Sequence, residues 1–278
     1  MKAFCCQLNL AWEDKAANHA KAREMIAAAK VPAGSLVLLP EMFATGFTMN
    51  VGSIAEAANG KPDAASTTGF LARTAREFGV YLLGGVVTSA AKGRGRNQAV
   101  IFSPQGKEVA RYSKCQPFTR GGESDHYEAG RDVITFRWHD CLVAPFICYD
   151  LRFPELFRAA VRQNAELFAV IASWPVKRIG HWVTLLQARA IENQAYVVGV
   201  NRTGEDPNFL YTGRSLIVNP HGEILADAGS AETIISAEID LAELRAWRAE
   251  FPALPDMRAG EAWRSTRAPD DQKKHARA

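Results

Sequence analysis

The chain has 278 residues, 47% of them hydrophobic, enough apolar material for a full core in one large domain or two modest ones. Its 33 basic residues nearly balance 30 acidic ones, so there is no electrostatic footprint for nucleic acid or an anionic membrane, and a small-molecule substrate is the default. Five cysteines (Cys5, Cys6, Cys115, Cys141 and Cys148) form no CxxC pair and show no Cys/His ligand spacing, which argues against a disulfide framework and against a bound metal. The opening MKAFCCQLNL lacks a sustained apolar core with a small-residue cleavage site, and no apolar run approaches the ~20 residues that span a bilayer, so a cytoplasmic location is expected.

In chain order, residues 2–10 read as a strand, EDKAANHAKAREMIAAAK as an Ala-rich amphipathic helix, and SLVLLPE as a short strand of the buried type. A helix near 64–78 follows, then strands VYLLGGVVTSA and NQAVIFSP, and a long strand region over 133–148. The series continues with a helix from about Pro154 to Asn164, strand LFAVIASW, helix HWVTLLQARAIENQ and strand YVVGVNR. This alternation predicts an α/β protein. IFSPQGKEVA (101–110) and LIVNPHGEILA (216–226) echo each other, each reading as strand, x-Pro-x-Gly turn and strand. Two βα-rich halves with one hairpin apiece suggest two mixed sheets packed face to face with helices outside, an α-β-β-α sandwich, in one domain over residues 1–255. Beyond the terminal helix LAELRAWRAEF, the tail 256–278 has no apolar period and is expected to be mobile or to pack on a partner subunit.

Three apolar runs end in groups that a purely structural reading does not require: Glu41 in LLPEMFATGF, Lys114 in ARYSKCQPF and Cys148 in PFICYDLRFPE. Each falls at the end of a predicted strand, where open α/β sheets place ligands. Together they make an acyl-transfer set. A thiol must lose its proton to attack an amide carbon, and a carboxylate such as Glu41 can take that proton and deliver it to the departing ammonia. The Lys114 ammonium and the Tyr149 backbone N–H could hold the resulting oxyanion. A helix starting just after Cys148 is expected to favour the thiolate through its dipole. Taken singly, each residue also has a plainer reading: a strand-end surface charge, a solvated lysine, a small core hydrophobe.

LLPEMFATGF, RYSKCQPF and ICYDLRFPEL resemble, in that order, the glutamate, lysine and cysteine motifs of the nitrilase superfamily of carbon-nitrogen hydrolases, over residues 2 to about 250. The resemblance implies Glu41 as general base and acid, Lys114 as oxyanion donor, Cys148 as nucleophile, the α-β-β-α sandwich, no cofactor, and a homodimer or larger homo-oligomer. It also implies a second glutamate, matched by Glu123 in GGESDHYEAG with Gly130 as the glycine that follows, orienting Lys114 and the attacking water. LPEMFATGF, HYEAG, the stretch from SWPVKRIGHW to NRTGEDPN, and YTGRSLIVNPHGEIL look most like the omega-amidase branch. Pro145, where many relatives have glycine, also suits that branch. Its members hydrolyse the terminal amide of 2-oxoglutaramate or 2-oxosuccinamate.

A substrate that keeps a carboxylate remote from its amide needs a fixed cation, and arginine pairs both carboxylate oxygens. Arg178 is the candidate, with Trp174 and His181 beside it, while Arg152 is set aside because CYDLRFPE recurs across branches with different substrates. His126 is read as structural or substrate-lining. Cys115 beside Lys114 and Pro207 in EDPNFLY depart from the pattern; Cys115 is read as packing. The alternatives are another branch, such as a deaminated-glutathione or N-carbamoyl amide hydrolase, and a non-catalytic binding module.

Overall fold

Successive residues of a strand face opposite sides of its sheet, and in this chain both sides are apolar. In the computed structural model, which describes residues 1–58, 63 and 65–258, Ala3 and Cys5 of β1 (Lys2–Gln7) enter one core cluster while Phe4 and Cys6 enter another. β2 (Leu36–Leu38) repeats this, with Leu36 and Leu38 on one side and Val37 on the other. A sheet that is apolar on both faces must be covered on both, which is the condition for a layered sandwich.

The first sheet continues through β3 (Tyr81–Ser89), β4 (Gly95–Phe102) and β5 (Glu108–Ser113), and the second is built from β6 (Phe136–Trp138), β7 (Cys141–Ile147), β8 (Leu167–Ala172) and β9 (Tyr196–Asn201). A two-stranded ribbon of β10 (Thr203–Glu205) and β11 (Leu210–Thr212) follows, then β12 (Leu216–Val218), β13 (Ile224–Asp227) and β14 (Thr233–Glu238). The strand orders are β14-β1-β2-β3-β4-β5 and β13-β12-β9-β8-β7-β6. The helices are α1 (Lys15–Ala28), α2 (Val51–Ile54), α3 (Thr67–Phe78), α4 (Glu123–His126), α5 (Pro154–Arg162), α6 (Ile179–Asn193) and α7 (Leu241–Glu250). Ala22 and Ile26 of α1 and Phe70, Leu71 and Ala75 of α3 pack on the outer face of the first sheet. Phe157 and Ala160 of α5 and Trp182, Leu186 and Ala190 of α6 join the core of the second. The four-layer α-β-β-α architecture is as expected, and the two x-Pro-x-Gly stretches form the β4–β5 and β12–β13 hairpins at sheet edges.

Local signals account for the helix ends. The Asp14 and Ser66 side chains accept the backbone N–H groups of Ala17 and Gly69, capping α1 and α3. Gly79, at φ 63°, closes α3 in the left-handed conformation that a Cβ disfavours.

Two expectations are corrected. The strand region over 133–148 is a hairpin, β6 and β7, because His139 at φ 54° turns the chain between Trp138 and Cys141. The α-helix expected just after Cys148 is not there: a short 3-10 helix spans Cys148–Arg152, and α5 begins at Pro154, the start expected for this helix, where the missing N–H suits a first helical turn. The sequence reading also assigned no strand to 233–238, yet β14 pairs with β1 along its whole length. Of the tail expected from residue 256, positions 259–278 lie outside the described residues. Among the described residues no helix is long and apolar enough to cross a membrane.

Candidate active site

β1, β2 and β3 run parallel, β5 is antiparallel to β4 and so parallel to β3, and β7, β8 and β9 are parallel to one another. The C-terminal ends of β2 and β5 therefore share one edge of the first sheet, and those of β7 and β8 share one edge of the second. Glu41, Lys114 and Cys148 are the residues that leave these ends, and all three are buried.

The backbone carrying Glu41 crosses directly over β3. A Cβ added to Gly85 would lie 2.2 Å from the Met42 nitrogen and 2.8 Å from the Glu41 Cα, so only glycine admits this approach. Gly85→Ala is accordingly expected to displace Glu41 and lower kcat by about 100-fold or more, since a 1 Å misplacement costs on the order of 10²-fold. Steady-state kinetics with a circular-dichroism check of folding measure this, and a variant with near-native kcat would contradict it. Lys114 is held by its own backbone: its N–H donates to Asn97 O at 2.9 Å, and its carbonyl accepts from Gly130 N at 2.8 Å. Gly130 is required for the same reason as Gly85, a Cβ there lying 2.2 Å from Ser113 O. Cys148 has φ 48°, a conformation that β-carbon sterics disfavour and that turns its side chain off the strand end.

The polar groups then converge. The Lys114 ammonium donates to Glu41 Oε1 at 2.9 Å and to Glu123 Oε2 at 2.7 Å. The Asn97 amide donates to Glu41 Oε1 at 2.7 Å and to Glu123 Oε1 at 2.9 Å. Backbone donors complete each carboxylate, Ser173 N reaching Glu41 Oε2 at 2.9 Å and Phe118 N reaching Glu123 Oε2 at 2.6 Å. Ser173 follows β8, the strand beside the one that ends in Cys148, so its N–H ties Glu41 of the first sheet to the edge of the second that carries the thiol.

Electrostatics here runs against the sequence-based expectation for the thiol. Burial, and next the Glu41 charge, push Cys148 well above an ordinary cysteine, outweighing Lys114 and the Ser173 N–H. Both influences hold the proton on sulfur more firmly than in a free cysteine, so nucleophilic attack calls for a base. Burial pulls the Lys114 ammonium toward neutrality, but Glu123 and Glu41 together overcome it and hold the group charged well above the usual lysine range. Asp150 ties the lysine and cysteine loops together: it accepts from Gln116 N at 2.8 Å, Ile147 N at 2.9 Å and Tyr112 Oη at 2.8 Å. Burial raises its carboxyl to about 7 in spite of these donors.

A narrow pocket, about 370 Å³ when the solvent at its mouth is included, opens onto Cys148 and Lys114. Phe47, Phe118, Tyr149, Trp174 and Phe209 wall it, and the Arg152 and Arg178 side chains also line it. The Arg178 guanidinium stacks over Phe118, 5.3 Å from the ring centroid. Trp174 carries the Arg152 guanidinium 4.8 Å above its ring and donates its indole N–H to Arg178 O at 2.8 Å. His181 is exposed and does not line the pocket; its Nδ1 accepts from Arg152 Nη2 at 3.1 Å. His126 is exposed in α4, away from the pocket. Cys115 is half-buried and packs against the core, as read. Pro207 is absorbed in a turn where Asp206 Oδ1 accepts the N–H groups of Asn208 and Phe209, both at 2.8 Å, which brings Phe209 to the pocket.

Sequence reasoning missed Asn97, Ser173 and Asp150, and it set aside Arg152. Asn97 offered one signal, a polar residue opening the apolar strand NQAVIFSP.

Residues 2–249 match the carbon-nitrogen hydrolase family. The chain belongs to that family. This carbon-nitrogen hydrolase is 34% identical to the 2-oxoglutaramate amidase of Bacillus subtilis, over 91% of this chain and 96% of that protein. It is 35% identical to the omega-amidase YafV of Escherichia coli K12, over 95% and 99% of the two chains. Among solved structures, a CN-hydrolase superfamily protein from Xanthomonas campestris superposes with a TM-score of 0.84 at 31% identity, covering 96% of this chain and 99% of that one. Saccharomyces cerevisiae Nit3, of the nitrilase superfamily, superposes at 0.82 with 28% identity, covering 91% and 94%. The family and these relatives make the chain an amide-hydrolysing enzyme with the nitrilase-superfamily fold.

Proposed function

We propose that the enzyme hydrolyses the terminal amide of a small 2-oxo dicarboxylate half-amide, such as 2-oxoglutaramate or 2-oxosuccinamate, through a cysteinyl thioester. The observation that carries the substrate class is the pair of guanidiniums, Arg152 and Arg178. They face one small aromatic pocket close enough to repel each other, and neither forms an ion pair with a carboxylate among the described residues. Two uncompensated cations beside a thiol call for an anionic ligand. The names of the Bacillus subtilis and Escherichia coli relatives support the same class.

In this reading Glu41 takes the Cys148 proton as sulfur attacks the amide carbon, and the Lys114 ammonium with the Tyr149 N–H receives the oxyanion. Glu41 then gives the proton to the departing nitrogen, so ammonia leaves and the acyl group stays on sulfur. Water attacks the thioester with Glu41 again as base, releasing the 2-oxo acid and restoring the thiol. Glu123 keeps Lys114 aimed at the oxygen. Trp174 supports Arg152 from below, and His181 acts only through its hydrogen bond to that arginine. A cytoplasmic location, a homodimeric or larger assembly, and a single catalytic domain over 1–255 belong to the same proposal.

Ammonia release from 2-oxoglutaramate, 2-oxosuccinamate, glutamine, asparagine and N-carbamoyl compounds tests it, the highest kcat/KM being expected for one of the two 2-oxo amides. Preference for an N-carbamoyl compound would move the enzyme to another branch. In the same panel Arg178→Met is expected to raise KM for 2-oxoglutaramate about tenfold or more, ~1.4 kcal/mol, with a smaller effect on a neutral amide. Equal losses on both would make Arg178 structural.

A further inference from the structure

Glu41 and Glu123 are both fully buried and flank a single ammonium. Two carboxylates in a dry site with one cation between them tend to share a proton, leaving one neutral and one charged. A neutral Glu41 could not accept the thiol's proton. Besides Lys114, one group bridges the two, the Asn97 amide, which directs its two N–H groups at one oxygen of each glutamate, at 2.7 and 2.9 Å. With it, each carboxylate receives three donors: Glu41 from Asn97, Lys114 and Ser173, and Glu123 from Asn97, Lys114 and Phe118.

We propose that Asn97 is a positioning residue that holds Glu41 and Glu123 as two separately ionised carboxylates on either side of Lys114. Chemistry sets the orientation of its amide, since the reverse orientation would aim Oδ1 at two carboxylates. The cost is visible: Asn97 is 1% exposed, and its Oδ1 is buried without a hydrogen-bond partner. An orphaned buried acceptor lowers stability, and a core-building role would favour an apolar residue at this position. The same residue's main-chain carbonyl accepts the Lys114 N–H at 2.9 Å, so position 97 fixes all three charged groups at once. The other titratable groups acting on the pair are Cys148 after β7, Tyr127 after α4 and Tyr211 in β11, with Asp150 beyond Lys114.

The proposal rests on Glu41 acting as the base for Cys148, so its test uses Cys148 itself and needs no substrate. The rate of Cys148 alkylation by iodoacetamide, followed by intact mass against pH in the full-length protein, falls on the acid side as Glu41 becomes unable to take the thiol's proton. In Asn97→Ala this acid limb is expected to move up by about one pH unit or more, because the two glutamates then share a proton. Asn97→Asp keeps the size of the side chain, replaces both donors with a third carboxylate, and should move the limb at least as far. On an amide that the wild type hydrolyses, kcat at neutral pH should fall about tenfold or more with KM within about threefold. An acid limb that stays within about 0.3 pH unit of the wild type in a folded variant overturns the proposal, as does failure of both variants to fold, which would make Asn97 a folding element only. A wild type that alkylates with the expected limb but hydrolyses none of the panel amides defeats the substrate assignment and leaves this inference standing.

Discussion

Replacing Cys148 by alanine is expected to abolish ammonia release while the protein stays folded. The thiol sits at the floor of the pocket, 8% exposed, and its loss removes one sulfur atom at the edge of the core. Alanine can occupy φ 48° at modest strain, so the turn should persist. Lys114 cannot take its place as nucleophile, because its ammonium is kept charged by Glu123 and Glu41 and therefore lacks a free lone pair, and the Ser173 hydroxyl is turned to the Glu41 carbonyl, to which it donates. Where a covalent nucleophile is removed from an otherwise complete site, kcat drops on the order of 10⁵- to 10⁶-fold. Intact-mass spectra taken with a slow amide should show an acyl adduct on the wild type and none on Cys148→Ala. A variant that turns over at more than about 1% of the wild-type rate would sink the thioester route. Cys115→Ala and Cys141→Ala are the controls and should remain largely active, since neither thiol lines the pocket.

Glu41→Gln should be nearly as damaging, for a different reason. Glutamine keeps the size of the side chain and one accepting oxygen, so the site can stay assembled, but it cannot take a proton. The thiol is then left as burial makes it, well above the ordinary cysteine range and with no base beside it. A general base contributes about 10²- to 10⁴-fold to one proton transfer, and Glu41 serves in both half-reactions, so kcat should fall by ~10³-fold or more. The sign of the pH effect is also set. The limb that belongs to Glu41 should vanish from the Cys148 alkylation profile, leaving one rise at higher pH as the thiol itself ionises. Retention of most of the wild-type rate would assign the base elsewhere, with Glu123 the next candidate.

Much of the architecture was legible because its signals are local. Apolar runs of strand length alternate with helical periods, and the PQG and PHG turns mark the two edge hairpins. Glu41, Lys114 and Cys148 could be singled out because each ends an apolar run in a group that the run does not explain. The hairpin inside 133–148 escaped notice because a residue at positive φ, His139, leaves no reliable mark when it is not glycine. β14 escaped because its partner, β1, lies at the opposite end of the chain.

The amino-acid sequence by itself thus determined the strand and helix alternation and marked Glu41, Lys114 and Cys148 as candidates, readings that depend on neighbours within a few positions. Only the tertiary structure decided what those groups are able to do. Ser173 donates to Glu41 from 132 positions away, and Asn97 reaches Glu41 across 56 positions and Glu123 across 26. Arg152 joined Arg178 in the pocket although the motif around it named no substrate. The expected helix-stabilised thiolate became a thiol that needs a base, because burial and the Glu41 charge outweigh Lys114 and the Ser173 N–H. Desolvation and Coulomb forces act through space between groups that folding brings together, and spacing along the chain carries no measure of either.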